Sequence, residues 1–99
     1  MKFVKNAAAG TLESNDIMVM VAANDDGGIK IELESIVEKQ FGRQIRKVIQ
    51  ETLKKLQIDN IKIVAVDRGA LDYTIKSRVV CAVYRACDTQ GDYNWEVLS

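Results

Sequence analysis

Residues 35–57 read SIVEKQFGRQIRKVIQETLKKLQ, and the reading of this stretch decides the fold. Phe41, Ile45, Val48, Ile49, Thr52, Leu53 and Leu56 recur at steps of three and four, the period of one helix face. Lys39, Arg43, Arg46, Lys47, Lys54 and Lys55 take the other sides, mixed with Glu38 and Glu51. Ser35 and Glu38 stand at capping-box spacing, so the helix is expected to begin there and to end near Gln57. The basic side reads as a solvated face, with an anion or acidic-partner site as the alternative.

Outward from this helix the pattern changes to strands. On the N-terminal side, Ile29, Ile31 and Leu33 alternate with Lys30, Glu32 and Glu34, a strand with one wet face, and Asn24 to Gly28 form the turn before it. Ile17 to Ala23 is apolar on both faces and reads as an interior strand. Ala7 to Leu12 can pair with it as a first hairpin, because Asn15 tolerates the positive φ that tight turns demand. On the C-terminal side, Asn60 to Val66 alternates as a fourth strand and turns at Asp67, Arg68 and Gly69. Leu71, Ile75, Val79, Ala82, Val83 and Ala86 then lie at helical spacing, although the β-branched content from Tyr73 to Val80 leaves a strand open. The order β-β-β-α-β-α predicts an α+β fold, with a mostly antiparallel four-stranded sheet and two helices on one face. Residues 88–99 are polar around Gly91 but carry Tyr93, Trp95 and Val97, a tail expected to dock on the core or on a partner.

Composition excludes several functions. The chain has 99 residues, 47% of them hydrophobic, and no Pro, which suits one domain over residues 1–99. Fourteen basic and 14 acidic residues cancel, so no net field draws the chain to nucleic acid or to an anionic membrane. The N-terminus lacks a signal-peptide pattern and no apolar run approaches a membrane span, so a cytoplasmic protein is expected. With no His and only Cys81 and Cys87, neither a zinc site nor a His-activated thiolate is available. On one helix these thiols are about 9 Å apart along the axis and face different ways, so packing is the expected role.

One hydroxyl stands out. In Gly10, Thr11, Leu12, Glu13, Ser14, Asn15, Asp16, a serine lies between acids at an exposed tip. It reads as a nucleophile, as an ordinary turn residue, or as a point of attachment for a prosthetic group. A nucleophile needs a base, and solvated Glu13 and Asp16 are weak ones. Gly27 and Gly28 lack the Lys and Ser or Thr of a phosphate loop, and Asn24 to Gly28 lacks the ligand spacing of a calcium loop.

The same residues carry a resemblance. Gly10 to Ser14 with Asp16, followed by an apolar strand, resembles the attachment segment of the citrate lyase acyl carrier (gamma chain) family. Glu38, Lys39, Gln40, Phe41 and Gly42 are similar to the start of that family's first helix, Gly69 to Asp72 to its later turn, and Trp95 and Glu96 to its tail. The resemblance implies a non-catalytic carrier, with Ser14 joined through a phosphodiester to 2'-(5''-phosphoribosyl)-3'-dephospho-CoA. The thiol of that arm would hold acetyl and citryl thioesters while citrate is cleaved to acetate and oxaloacetate, as in citrate fermentation. The implied partners are the alpha (acyl transferase) and beta (citryl lyase) chains and a prosthetic-group transferase. Glu13 and Asp16 are expected to repel the arm's phosphates and to offer an acidic patch to basic partner surfaces. The carrier of malonate decarboxylase and an unmodified scaffold or regulatory module are the other readings.

Overall fold

The structure, a computed structural model, describes residues 3–87. Three strands, β1 (Ala7–Ala9), β2 (Ile17–Ala22) and β3 (Ile29–Ser35), precede helix α1 (Glu38–Lys55), strand β4 (Ile61–Asp67) and helix α2 (Asp72–Ala86). The strands form one sheet in the order β1-β2-β4-β3. The β1–β2 and β2–β4 pairs are antiparallel, as expected for most of the sheet, but β3 and β4 are parallel. The sheet is therefore mixed. The reason lies in the connection, because α1 carries the chain back along the sheet before β4 begins, which a hairpin would not do.

Both helices lie on one face. Helix α2 packs over β1 and β2, α1 over β3, and the helices touch each other. The strand residues beneath them are fully buried: Ile17, Val19 and Val21 from β2, and Ile61, Ile63 and Ala65 from β4. Their alternates, Met18, Met20, Val64 and Val66, lie on the open face with Lys30, Glu32 and Glu34 of edge strand β3. Alternation thus sends one face to the core and the other to solvent. Burying the inner face against α1 and α2 is what selects helix for residues 72–86, since Ile75, Val79, Ala82, Val83 and Ala86 all reach the core. Their β-branched members would otherwise suit a strand. Ala86 accepts from the N–H groups of Val4 and Lys5, and Arg85 donates to the Ala8 carbonyl at 2.8 Å, so the end of α2 also holds edge strand β1.

Three local expectations are revised. Ser35 does not cap α1, whose N-cap is Val37 without a side-chain bond. The Ser35 hydroxyl instead donates to Asp67 at 2.8 Å and accepts from the Val37 N–H, linking β3 to β4. Phe41, placed by periodicity on the buried stripe, is 52% exposed, while Ile45 to Leu53 on the same stripe are buried. It lies in the first turn of α1, facing the groove described below. The first hairpin is short, with only Ala7 to Ala9 paired, and residues 10–16 leave the ladder as a loop. The tail with Trp95 lies outside the described residues.

Gly10 sets where that loop departs. Its φ is +99°, and a Cβ there would fall on the Ile17 carbonyl oxygen. Gly10→Ala is therefore expected to destabilise the fold by more than about 1 kcal/mol, measured as a lowered denaturant midpoint. An unchanged midpoint would contradict the close approach.

Candidate functional site

The serine turn is built from a few polar contacts. Asp16 N–H donates to the Glu13 carbonyl at 3.2 Å, closing a turn over Ser14 and Asn15. Asn15 takes φ 65°, the left-handed value that Asn tolerates better than most residues. On one side the turn is tied to the loop after β4. Asn15 N–H donates to the Arg68 carbonyl at 2.8 Å, and Arg68 N–H donates to the Asp16 carbonyl at 2.9 Å.

Asp16 locks the other side. Its Oδ1 accepts from Ile17 N–H at 2.7 Å and from Arg78 Nε at 3.0 Å. Its Oδ2 accepts from Thr11 Oγ1 at 2.7 Å and from the Arg78 NH2 group at 3.0 Å. The guanidinium of Arg78, on the second turn of α2, thus grips the carboxylate in a two-point fork. Partial burial of the carboxylate pushes its pKa up, but the Arg78, Thr11 and Ile17 hydrogen bonds and the Arg78 charge outweigh it and hold the pKa at about 2. Asp16 therefore stays ionised and committed. It is not a free base for Ser14.

A second carboxylate organises the neighbouring loop. Asp67, 1% exposed, accepts from Ser35 Oγ at 2.8 Å, Gly69 N–H at 3.1 Å and Ala70 N–H at 3.0 Å. These bonds shape residues 67–70 against the serine turn, where a Cβ on Gly69 would meet the Asn15 side chain at 3.6 Å. Beyond Gly69 opens a groove of about 660 Å3 between the first turns of α1 and α2. Phe41, Leu71 and Tyr73 line it and are all more than half exposed. Lys76, Asp72 and Gln44 add polar atoms, and Gln44 donates to Asp72 at 3.0 Å. The sequence pattern did not mark this groove, because its lining residues come from two helices about thirty positions apart.

Ser14 sits at the exposed tip with its hydroxyl free of hydrogen bonds among the described residues. Glu13 is also exposed and makes no ion pair there. The turn brings Ser14, Glu13 and Asp16 together in sequence, but they differ in surroundings: Ser14 and Glu13 face solvent, while Asp16 is held against α2. An unactivated alcohol can be a substrate for an outside catalyst but has no resident base to make it attack. Neither Cys81 nor Cys87 is in a disulfide, and burial pushes the Cys87 thiol up, away from reactivity. Among the described residues no cluster of acids and thiols could hold a metal ion, and no helix is long and apolar enough to cross a membrane. On the outer side of α1, Arg46 pairs with Glu38 at 2.9 Å and Lys47 approaches Glu51 at 3.9 Å, surface contacts of small weight.

Comparison with known proteins finds a family, close relatives and a likeness of fold. A family model described as malonate decarboxylase delta subunit (MdcD) matches residues 4–86. The citrate lyase acyl carrier protein of Streptococcus mutans is 54% identical over 98 residues, covering 99% of this chain and 95% of that protein. That of Lactobacillus acidophilus is 53% identical over 98 residues, covering 99% of this chain and 100% of that protein. Among solved structures, homoserine kinase from Cytophaga hutchinsonii aligns with a TM-score of 0.57 at 15% identity, covering 99% of this chain and 39% of that one. That last likeness is one of fold alone.

The Asp16 contacts carry a pH signature. In the unfolded chain the carboxyl titrates near 3.8, and in the folded chain near 2. The stabilisation is complete above about pH 4, declines as pH falls from about 4 to 2, and is absent below. After allowance for the half-open Arg78 partner, it amounts to about 1–2 kcal/mol. Asp16→Asn should remove this acid-side slope and lower neutral-pH stability by that amount. Parallel stability curves for the two proteins between pH 2 and 5 would refute it.

Proposed function

We propose, from the premise that this chain belongs to the citrate lyase acyl carrier protein family, that it is the carrier subunit of a citrate lyase and that Ser14 is its attachment point. As an acyl carrier protein it is a carrier rather than a catalytic subunit. The observation that carries the assignment of Ser14 is the exposed hydroxyl with no internal partner, on a turn pinned to the core at Asp16 and Asn15. A modifying enzyme can reach such an oxygen without disturbing the fold.

The residues at this tip fit a phosphoribosyl dephospho-coenzyme A group joined through a phosphodiester. Attachment requires an activated phosphoester donor and a separate transferase. The Ser14 oxygen forms the new O–P bond, the hydroxyl proton passes to a base of the transferase, and the donor's leaving group departs with the bonding electrons. Once bound, the group supplies a terminal thiol able to hold an acyl chain as a thioester while citrate is cleaved to acetate and oxaloacetate. This chain's own part is to hold the anchor still. The bonds at Thr11, Asp16 and Arg78 keep the turn from folding away, and the exposed position leaves a tethered group free to visit acyl transferase and citryl lyase sites on partner chains. Tethering of this kind acts by raising the local concentration of the carried group, to millimolar values for short flexible links.

Glu13 and Asp16 have different parts in this reading. Glu13 keeps an unpaired charge that repels added phosphates and faces basic partner surfaces. Asp16, already matched by Arg78, contributes mainly by position. The family model's description favours one second reading, the carrier of a malonate decarboxylase.

In a host that makes the prosthetic group, intact mass is expected to show one covalent adduct, absent from Ser14→Ala while the variant remains folded. An unmodified wild-type chain would sink the attachment reading and favour a scaffold. The modified chain should restore a carrier-depleted citrate lyase; restoration of malonate decarboxylase alone would select the second reading. Glu13→Gln should slow modification or docking several-fold at low salt and have no effect at high salt. Equal rates at low salt would remove its role.

A further inference from the structure

We infer that Arg68 is the anion anchor of the serine turn, its guanidinium taking the phosphate of a diester formed at Ser14. The inference rests on the attachment reading above and adds to it a residue and a recognition chemistry.

Position comes first. Arg68 exchanges backbone hydrogen bonds with both residues that follow Ser14, accepting from Asn15 N–H at 2.8 Å and donating to the Asp16 carbonyl at 2.9 Å. It therefore sits across from the turn at strand spacing, on the order of 5 Å, a span shorter than an extended arginine side chain.

Its charge is uncommitted. The guanidinium has no hydrogen-bonding or ionic partner among the described residues, and its Nε is buried. A buried donor left unmet is costly. Three of the other four arginines are engaged, Arg46 by Glu38, Arg78 by Asp16 and Arg85 by the Ala8 carbonyl, while Arg43 is exposed to solvent on α1, away from the turn. The two carboxylates nearest to Arg68 along the backbone are engaged elsewhere. Asp16 already accepts from Arg78, Thr11 and Ile17, and Asp67 from Ser35, Gly69 and Ala70. The turn thus keeps a cation unmatched by the acids among the described residues, with exposed Glu13 as the one competitor on the turn itself.

The chemistry matches a phosphodiester. A diester at Ser14 carries a single negative charge shared by two non-bridging oxygens, which suits the planar fork of arginine better than the point charge of lysine. Arg78 is the poorer candidate, because Asp16 already takes its Nε and one terminal nitrogen and matches its charge. Gripping only the first phosphate would fix the root of the arm and leave everything beyond it free to swing.

The test compares modified and unmodified forms of wild type, Arg68→Gln, Arg68→Lys and Glu13→Gln, each verified by intact mass. Modification is expected to raise the melting temperature of wild type by about 4–8 °C, an increment that shrinks in high salt. The increment should be lost in Arg68→Gln, reduced in Arg68→Lys and kept in Glu13→Gln. Unmodified Arg68→Gln should melt close to unmodified wild type, since the substitution removes a charge that has no partner among the described residues. The phosphorus NMR shift of the diester should move with salt in wild type and stay constant in Arg68→Gln, a readout that Arg68→Lys also provides should the glutamine variant fold poorly. Equal increments in wild type and Arg68→Gln, or an equal loss of stability in both forms of the variant, would overturn the inference while leaving the attachment reading intact. An absence of any adduct on wild type would overturn both.

Discussion

The two-point grip of Arg78 on Asp16 is the contact on which the arrangement of this molecule's working end depends. It joins the loop after β1 to α2, across 62 residues of sequence, and it does so with geometry that leaves little freedom. Thr11 and the Ile17 N–H complete the shell around the carboxylate, so the loop from 10 to 16 is anchored at its base. What remains free is the tip. A loop that lacked this pair would have to order Ser14 with backbone turns alone, and exposed turns of that kind are the first parts of a domain to open.

Asp67 performs the matching task one strand away. It gathers the end of β3 through Ser35 and the start of the α2 loop through Gly69 and Ala70, which sets the segment leading into α2 against the serine turn. The consequence is a division of labour among acids that look alike in sequence. Asp16 and Asp67 are consumed by structure, and Glu13 alone presents charge to solvent at the turn. For a carrier this is a sensible arrangement. The anchor must be stiff enough to be recognised, and its hydroxyl must be inert until another protein acts on it.

Much of the fold was legible because periodicity reports burial. Ile45, Val48, Ile49, Leu53 and Leu56 occupy the buried stripe of α1, and Ile61, Ile63 and Ala65 face the core from β4, as their spacing implied. Asn15 takes the positive φ that its residue type suggested. Periodicity failed where the environment changes along an element. Phe41 continues the stripe of α1 but lies past the part of the helix that α2 covers, so it borders an open groove instead. Ser35 has the spacing of a cap, yet a buried carboxylate from another strand competes for its hydroxyl and wins.

By itself the sequence determined the order of the elements, the two-layer plan, the exposed serine and, through resemblance, the family. These are local or cumulative properties, written in residue type and spacing. The tertiary structure alone decided that β3 and β4 run parallel, that Asp16 is claimed by Arg78, and that the Arg68 guanidinium is left without a partner among the described residues. Each depends on which distant segments meet. A charge in a sequence carries no sign of whether it will be matched, because the matching group is chosen by packing of the sheet and helices and not by its neighbours in the chain.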